Sequence, residues 1–194
     1  MDRDLLLEKV KKVLRPDRFQ HTLGVVETAL QLAERFGADQ TKAEAAAILH
    51  DYAKYYPLEE MKRIISSVEG MPQDLLDYSP EVWHAFVGAY LVQKELGIED
   101  EEVLAAIRYH TTGRPHMTVL EKVVFLADYI EPGRDFPGVD EVRQLALTDL
   151  DQAICQALKR TIDFLEGNNK KVYPLTKEAY RYFLKTATSP KGKG

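Results

Sequence analysis

The spacing of apolar residues constrains the fold of this chain more than any other feature of the sequence. Apolar residues recur at intervals of three and four positions along almost the whole chain, which is the period of one face of an α-helix. There is no long alternating run of valine, isoleucine and threonine of the kind that marks a strand. The sequence therefore predicts an all-α fold.

Proline, glycine and capping residues divide this pattern into separate helices. A first helix should end before Arg15-Pro16, and a second should stop at Gly37. Residues 41–44 (TKAE) have the form of a capping box at the start of a third helix, and residues 118–121 (TVLE) have it again. Residues 131–138 are too rich in proline and glycine to be helical, and two or three helices should follow them.

Length and composition favour a single domain. The chain has 194 residues, of which 45% are hydrophobic, and it contains no long linker. We expect one domain over residues 1–188, with the chemistry-bearing core at about 16–135 and C-terminal helices at about 139–185. The tail at 189–194 (SPKGKG) should be disordered.

Charge and cysteine content exclude several classes of function. The net charge is −5 and the charges are mixed in sign, so no basic excess is available for a nucleic-acid backbone. The one cysteine, Cys155, cannot form an internal disulfide, and the charged N-terminus does not resemble a signal peptide. No apolar stretch reaches the roughly 20 residues that span a membrane. We expect a cytoplasmic protein.

Histidines and aspartates on apolar helix faces are the main functional signal. A single histidine in such a position is usually an ordinary core residue. Here, however, four of the five histidines follow this pattern, together with two aspartates whose burial would cost several kcal/mol unless a cation compensates them. The residues are His21, His50, Asp51, His84, His110 and Asp128.

This set of residues predicts a metal site. Mixed imidazole and carboxylate ligands suit iron, manganese or zinc better than calcium or magnesium, and the lack of cysteine disfavours a closed structural zinc site. Neighbours on a helix diverge by about 100°, so His50 and Asp51 can reach one ion only at a helix end. Alternatively, Asp51 bridges two ions.

These residues resemble the HD-domain superfamily of metal-dependent phosphohydrolases, whose signature is a histidine, a later His-Asp pair and a distant aspartate. Here these are His21, His50-Asp51 and Asp128, while His84 and His110 stand where the two-metal branch has two further histidines. The resemblance implies an HD-domain helical bundle. It also implies two divalent transition-metal ions bridged by Asp51, with iron as first choice and manganese, cobalt or zinc as alternatives.

Longer segments resemble the YqeK family of bacterial HD-domain proteins over about residues 10–185. The segments are RFQHTLGVVETA, AAILHDYAK, HAFVGAYL, RYHTTGRPHMTVLEKVVFLADYIEPGRDFPGV and TIDFLEGNNKKVYPLT. The resemblance implies symmetrical cleavage of diadenosine tetraphosphate (Ap4A), or a related dinucleoside polyphosphate, into two ADP. Metal-activated water would be the nucleophile, with Asp51 as the catalytic bridge. Whether the chain forms a homodimer stays open.

A tetraphosphate substrate needs fixed cations and hydrogen-bond donors around the metal site. Lys54, three residues after Asp51, is the first choice and is also assigned a catalytic role. His116 would contact substrate or protonate a leaving group. Surface charge, turn chemistry and an exposed loop histidine are the alternative interpretations. The predicted contacts are Arg18, Lys54, Thr111, Gly113, His116 and Arg134.

Three other functions are compatible with such a site. Another HD phosphohydrolase, acting on nucleoside monophosphates or deoxynucleoside triphosphates, would have the same metal ligands. A dinuclear iron centre can instead activate oxygen, although the phosphate-directed cations disfavour this. A non-catalytic nucleotide sensor is the third, and the complete ligand set disfavours it.

Overall fold

The computed structural model describes residues 2–188, and these residues form ten α-helices and one 3-10 helix, without a strand. The predicted all-α fold is confirmed. The predicted disorder at 189–194 lies outside the described residues. The helices are α1 (Arg3–Val13), α2 (Pro16–Phe36), α3 (Gln40–Leu49), α4 (Leu58–Ser67), the 3-10 helix (Gln73–Asp77), α5 (Pro80–Leu96), α6 (Glu101–Arg108), α7 (Val119–Ile130), α8 (Val139–Ala146), α9 (Leu150–Gly167) and α10 (Pro174–Thr188).

Local capping explains most of these boundaries. The Thr118 capping box is present at the start of α7, and Gly37 ends α2 in the left-handed conformation (φ 74°). The predicted start of α3 was wrong. Asp39, not Thr41, is the N-cap, because its carboxylate accepts a 3.0 Å hydrogen bond from the amide of Lys42. The helix therefore begins at Gln40, and Thr41 lies in its first turn.

Helices α3 and α7 form the centre of the fold. α3 packs against α1, α2, α6 and α7, and α7 also packs against α2, α6, α8 and α9. Three fully buried alanines of α3, namely Ala43, Ala46 and Ala47, allow its neighbours to approach closely. As a result, the C-terminal end of α3 is surrounded by other helices.

Two smaller units complete the structure around this centre. Trp83 on α5 packs against α4 and the 3-10 helix and donates a 2.6 Å hydrogen bond to the carbonyl of Leu75. Helices α9 and α10 pack on each other, with Leu158 and Phe183 fully buried. No described helix is long and apolar enough to cross a membrane. The predicted division of the domain into a core and a C-terminal part stays a prediction.

Candidate metal centre

The structure brings the six predicted metal ligands together at one place inside the bundle. His21 comes from α2, His84 from α5 and Asp128 from α7, whereas His110 follows α6. The other two, His50 and Asp51, follow α3 and are fully buried.

The chain stays in tight turns after α3, and this local geometry directs both members of the His-Asp pair inward. His50 retains helical dihedral angles (φ −54°, ψ −38°). The amide of Lys54 then donates a 2.8 Å hydrogen bond to the carbonyl of Asp51. Because the helix ends here, the two neighbouring side chains both reach the same cluster.

Asp51 divides the cluster into two halves. Its Oδ2 lies 3.1 Å from His50 Nε2 and 3.9 Å from His21 Nε2. Its Oδ1 lies 3.0 Å from His84 Nε2 and 3.9 Å from His110 Nε2. Each carboxylate oxygen thus faces a different pair of imidazoles, which is the arrangement that a carboxylate bridging two cations requires.

Asp128 lies beside the imidazole pair formed by His21 and His50. Its Oδ1 lies 3.0 Å from His21 Nε2 and 3.8 Å from His50 Nε2. Arg134 fixes this aspartate by donating to its Oδ1 (2.7 Å) and to its backbone carbonyl (2.9 Å). The carboxylate is therefore held in place from outside the cluster.

Hydrogen bonds to Nδ1 orient the imidazoles. His50 Nδ1 lies 2.7 Å from the carbonyl oxygen of Ala47, and His110 Nδ1 lies 2.7 Å from that of Ile107. Because a carbonyl oxygen can only accept, these contacts assign the proton to Nδ1 in each ring. The lone pair of Nε2 then points into the cluster, as a metal ligand requires.

Glu131 orients His21 in the same way, and the sequence analysis did not identify it. The Glu131 side chain is buried, and its Oε1 lies 2.9 Å from His21 Nδ1 while its Oε2 accepts a 2.6 Å hydrogen bond from the amide of Gly133. Gly24 makes room for it, since a Cβ there would lie 2.6 Å from Glu131 Oε2. The position of Glu131, three residues after Asp128 at the end of a helix, was the one available signal.

Several polar atoms of the cluster are buried without a hydrogen-bond partner. They are His21 Nε2, His50 Nε2, His84 Nδ1 and both carboxylate oxygens of Asp51, whose contacts with the imidazoles and with Arg18 are those of ion pairs. Three overlapping groups place their ligand atoms within 4.8 Å of one another: His21, His50 and Asp51; His50, His110 and Asp128; and Asp51, His84 and His110. A buried set of nitrogen and oxygen donors fits a divalent transition metal.

The electrostatics of the cluster favour a cation. Burial alone would raise the pKa of Asp51, but the neighbouring imidazoles of His50 and His84 hold it well below its ordinary value. Burial, reinforced by the neighbouring His50 and His84, lowers the pKa of His110 to about 3. Asp51 is therefore ionised and His110 neutral near pH 7, which are the forms that coordinate metal ions.

A cavity of about 800 Å³ opens onto His84, His110 and Asp128. The predicted cations Arg18, Lys54 and Arg134 line it, as does Thr111. Arg18 and Lys54 pair with carboxylates, like Arg134. Arg18 Nε lies 2.5 Å from Asp51 Oδ2, and Lys54 Nζ lies 2.5 Å from Glu81 Oε2.

Two of the predicted contacts lie elsewhere. Gly113 is buried next to Ala179 and Leu158, and its positive φ of 62° allows the chain to turn there. His116 is exposed and its ring centroid lies 4.4 Å from that of Tyr182. The structure places neither residue in the wall of the cavity, because the loop after His110 turns toward α10.

The architecture and the ligand cluster agree with the comparisons to known proteins. The HD domain family model matches residues 18–133, which is more than half of the chain. The chain therefore belongs to the HD domain family, and the predicted resemblance is confirmed.

Closer relatives share almost the full length of the chain. A protein of Bacillus subtilis named symmetrical bis(5'-nucleosyl)-tetraphosphatase is 59% identical, over 95% of this chain and 98% of that protein. A protein of Staphylococcus aureus with the same name is 45% identical, over 91% and 94%. A crystal structure from Clostridium acetobutylicum, described as a predicted HD superfamily hydrolase involved in NAD metabolism, superposes with a TM-score of 0.86. It is 37% identical and covers 96% of this chain and 98% of that chain.

Proposed function

We propose that this protein is a metal-dependent hydrolase that cleaves Ap4A symmetrically into two ADP. The observation that carries the proposal is the cluster of four histidines and two aspartates, three of which line a cavity whose walls present cations. The names of the relatives that are 45% and 59% identical support the choice of substrate.

The reaction adds one water across the central bridge of the tetraphosphate. The P–O bond between the bridging oxygen and one central phosphorus breaks, and the water oxygen becomes a terminal oxygen of that ADP. The bridging oxygen stays with the other ADP, and the protons of the water pass to the products or to solvent. No oxidant or further co-reactant is needed.

We infer that the cluster holds two divalent transition-metal ions, with iron as the first candidate and manganese, cobalt or zinc as alternatives. The separation of the two oxygens of Asp51 toward different imidazole pairs supports this number. Ions bound in such a site supply a water with a pKa of about 7 and neutralise charge on phosphoryl oxygens.

The chain's own residues would bind and orient the polyphosphate. Lys54 is the main contact we propose, because its partner Glu81 has a side chain that is 74% exposed. A phosphate can replace a carboxylate that is mostly hydrated at little cost. Arg18 and Thr111 line the same cavity. Arg134 also lines it, and in addition it donates a hydrogen bond to Asp128. The cytoplasmic location and the absence of nucleic-acid binding stay predictions.

The test combines metal analysis with product analysis. The protein is purified without added metal, its metals are measured by mass spectrometry, and Ap4A cleavage is followed by chromatography. We expect about two transition-metal ions per chain, ADP as sole product, and loss of both in Asp51→Ala. Asp163→Ala is the matched control, because Asp163 pairs with Lys159 at the surface and does not line the cavity.

Each other outcome points to a different function. Formation of ATP and AMP would contradict symmetrical cleavage. Hydrolysis of dGTP or AMP in preference to Ap4A would favour another HD phosphohydrolase, and tight nucleotide binding without turnover would favour a sensor. Oxygen consumption with an organic substrate would favour an oxygenase.

A further inference from the structure

One part of the cavity wall has no role in the function proposed so far. It includes Tyr78, which follows the 3-10 helix, and Lys170, Lys171 and Tyr173 in the connection between α9 and α10. We call these four residues the far wall. They belong to the same cavity as His84, His110 and Asp128.

The two lysines of the far wall differ from the other cations of the cavity. Arg18, Lys54 and Arg134 each pair with a carboxylate. Among the described residues, neither Lys170 nor Lys171 has an ion pair with a carboxylate.

The lysines contact groups that neutralise no charge. Lys170 Nζ lies 5.9 Å from the centre of the Phe164 ring. Lys171 Nζ lies 5.9 Å from that of Tyr78 and 3.3 Å from the backbone carbonyl oxygen of Asp77. The far wall therefore presents two positive charges that an anion in the cavity can pair with.

The backbone that carries the lysines is fixed at both ends. The amide of Lys170 donates a 2.8 Å hydrogen bond to the carbonyl of Leu165, where the chain leaves α9. On the other side, Val172 and Tyr173 are buried. Binding an anion at these lysines thus costs little ordering of the main chain.

The far wall also offers an aromatic ring. Tyr78 is half-buried, and its ring meets that of Tyr173 edge-on, with centroids 5.0 Å apart. Tyr173 is in turn held by a 3.2 Å hydrogen bond from its hydroxyl to Asp74. A ring that is supported in this way is suited to stack on a nucleobase.

We propose that the far wall binds the half of the dinucleotide that departs as the second ADP, with Lys170 and Lys171 on its phosphates and Tyr78 on its adenine. This inference rests on the proposed function and adds the source of preference for a substrate with two nucleosides. A mononucleotide would engage only the metal end of the cavity. The volume of the whole cavity, about 800 Å³, is in the upper part of the range for ligand pockets, which is about 300–1,000 Å³.

The first test removes the charges of the far wall. Lys170→Ala/Lys171→Ala is compared with Lys177→Ala, a nearby lysine that pairs with Glu166 and does not line the cavity. We expect the KM for Ap4A to rise about tenfold in the double variant, while kcat and metal content stay unchanged. Lys177→Ala should keep the KM of the unaltered protein.

The outcomes separate this inference from the proposed function. Lack of Ap4A turnover by the unaltered protein would overturn both. Turnover with the same KM in the double variant, or an equal rise in Lys177→Ala, would overturn the far-wall inference alone.

The second test concerns the ring of Tyr78. Tyr78→Ala should raise the KM for Ap4A, and Tyr78→Phe should restore it because stacking needs the ring and not the hydroxyl. Inorganic tetraphosphate has the same four phosphates without either nucleoside, so its inhibition constant should be unaffected by Tyr78→Ala. An equal effect on Ap4A and on inorganic tetraphosphate would contradict adenine binding, and the unfolding temperature of each variant reports whether the fold is intact.

Discussion

At the scale of single residues, the geometry of the cluster depends on side chains outside the six predicted ligands. Glu131 accepts a hydrogen bond from Nδ1 of His21, and Gly24 leaves the space in which the Glu131 carboxylate lies. Partners of this kind fix the orientation of a metal ligand and raise its basicity. We call Glu131 a positioning residue for this reason.

We expect Glu131→Gln to weaken metal binding by about 10–100-fold, because the amide keeps the shape of the side chain but loses its charge. The measurement is the metal dissociation constant by competition with a chelator, together with kcat/KM for Ap4A. Glu141→Gln on α8, whose carboxylate pairs with Arg160 at the surface, is the matched control. Equal metal affinity in both variants would contradict the assignment.

Gly24→Ala should reduce both stability and metal binding. The new Cβ would meet Glu131 Oε2, so the carboxylate must move away from His21. Overpacking of this kind costs about 1–3 kcal/mol, measured as the free energy of unfolding in urea. Gly167→Ala, at the end of α9 with nothing within 4 Å of its Cβ position, should leave stability unchanged or raise it. An equal loss of unfolding free energy in the two variants would contradict a special role of Gly24.

At the scale of helices, the segment between α7 and α8 is held by one arginine. Arg143 on α8 donates hydrogen bonds to the carbonyl oxygens of Ile130 (2.9 Å), Glu131 (2.9 Å) and Arg134 (2.7 Å). The segment carries Glu131 and Arg134, which orient His21 and Asp128. The helix after the site thus fixes the loop that supports the site.

Arg143→Ala should lower the free energy of unfolding by about 2 kcal/mol, since it removes charge-assisted bonds to three buried or half-buried carbonyls. It should also lower kcat for Ap4A more than it changes KM, because the loop acts on metal ligands. Arg63→Ala on α4, which removes an exposed i,i+3 pair with Glu60, should change neither. An unaltered kcat in Arg143→Ala would show that the segment between α7 and α8 keeps its geometry without the hydrogen bonds of Arg143, and it would contradict the prediction.

The N-cap of α6 gives a prediction for pH. Hydrogen bonding from Lys42, and from the amides of Val103 and Glu102, lowers the pKa of Asp100 below 3.8, although burial opposes this. A carboxyl group with a lowered pKa stabilises the folded state above its ordinary pKa, and this contribution is lost as the pH falls through the lower, folded value. Asp100→Ala should therefore cost about 1 kcal/mol at pH 7.

The measurement is urea unfolding of both proteins at pH 7 and near pH 3. The difference between them should shrink at the lower pH. Asp100→Asn is the control, because asparagine keeps a capping oxygen but not the charge, so its deficit should be smaller. A difference that does not depend on pH would contradict the role of the carboxylate.

At the scale of the whole molecule, the metal cluster joins distant parts of the chain. Its ligands come from α2, α5, α7 and the segments after α3 and α6. A metal ion that binds only the folded state adds to stability through its binding free energy. In the proposed function, the cluster with its metal ions would be a cross-link of the bundle as well as the reaction centre.

Chelation should lower the unfolding temperature of the purified protein. Each 1 kcal/mol of metal binding energy corresponds to roughly 2–4 °C in a chain of this size. Calorimetry with and without chelator measures the shift, and Asp51→Ala, which lacks the bridge, should show little of it. Identical transitions before and after chelation of the unaltered protein would contradict a metal that is bound by the folded state.

The sequence by itself determined the helices, most of their caps and the set of six residues that the structure brings together. It could do so because helix period and capping are local, and because His21, His50 and Asp128 lie in line with apolar neighbours on their own helices. The start of α3 was missed for a local reason as well, since Asp39 competes with Thr41 for the same role and reaches the amide of Lys42.

Only the tertiary structure decided what surrounds the six residues. Glu131 meets His21 across 110 positions of sequence, and the far wall combines Tyr78, after the 3-10 helix, with residues of the connection between α9 and α10. The same packing turned Gly113 toward Ala179 and His116 toward Tyr182, away from the cavity in which they were predicted. The physical reason is that periodicity records which face of a helix is buried, whereas the partner that covers that face is chosen by packing between helices that are distant in sequence.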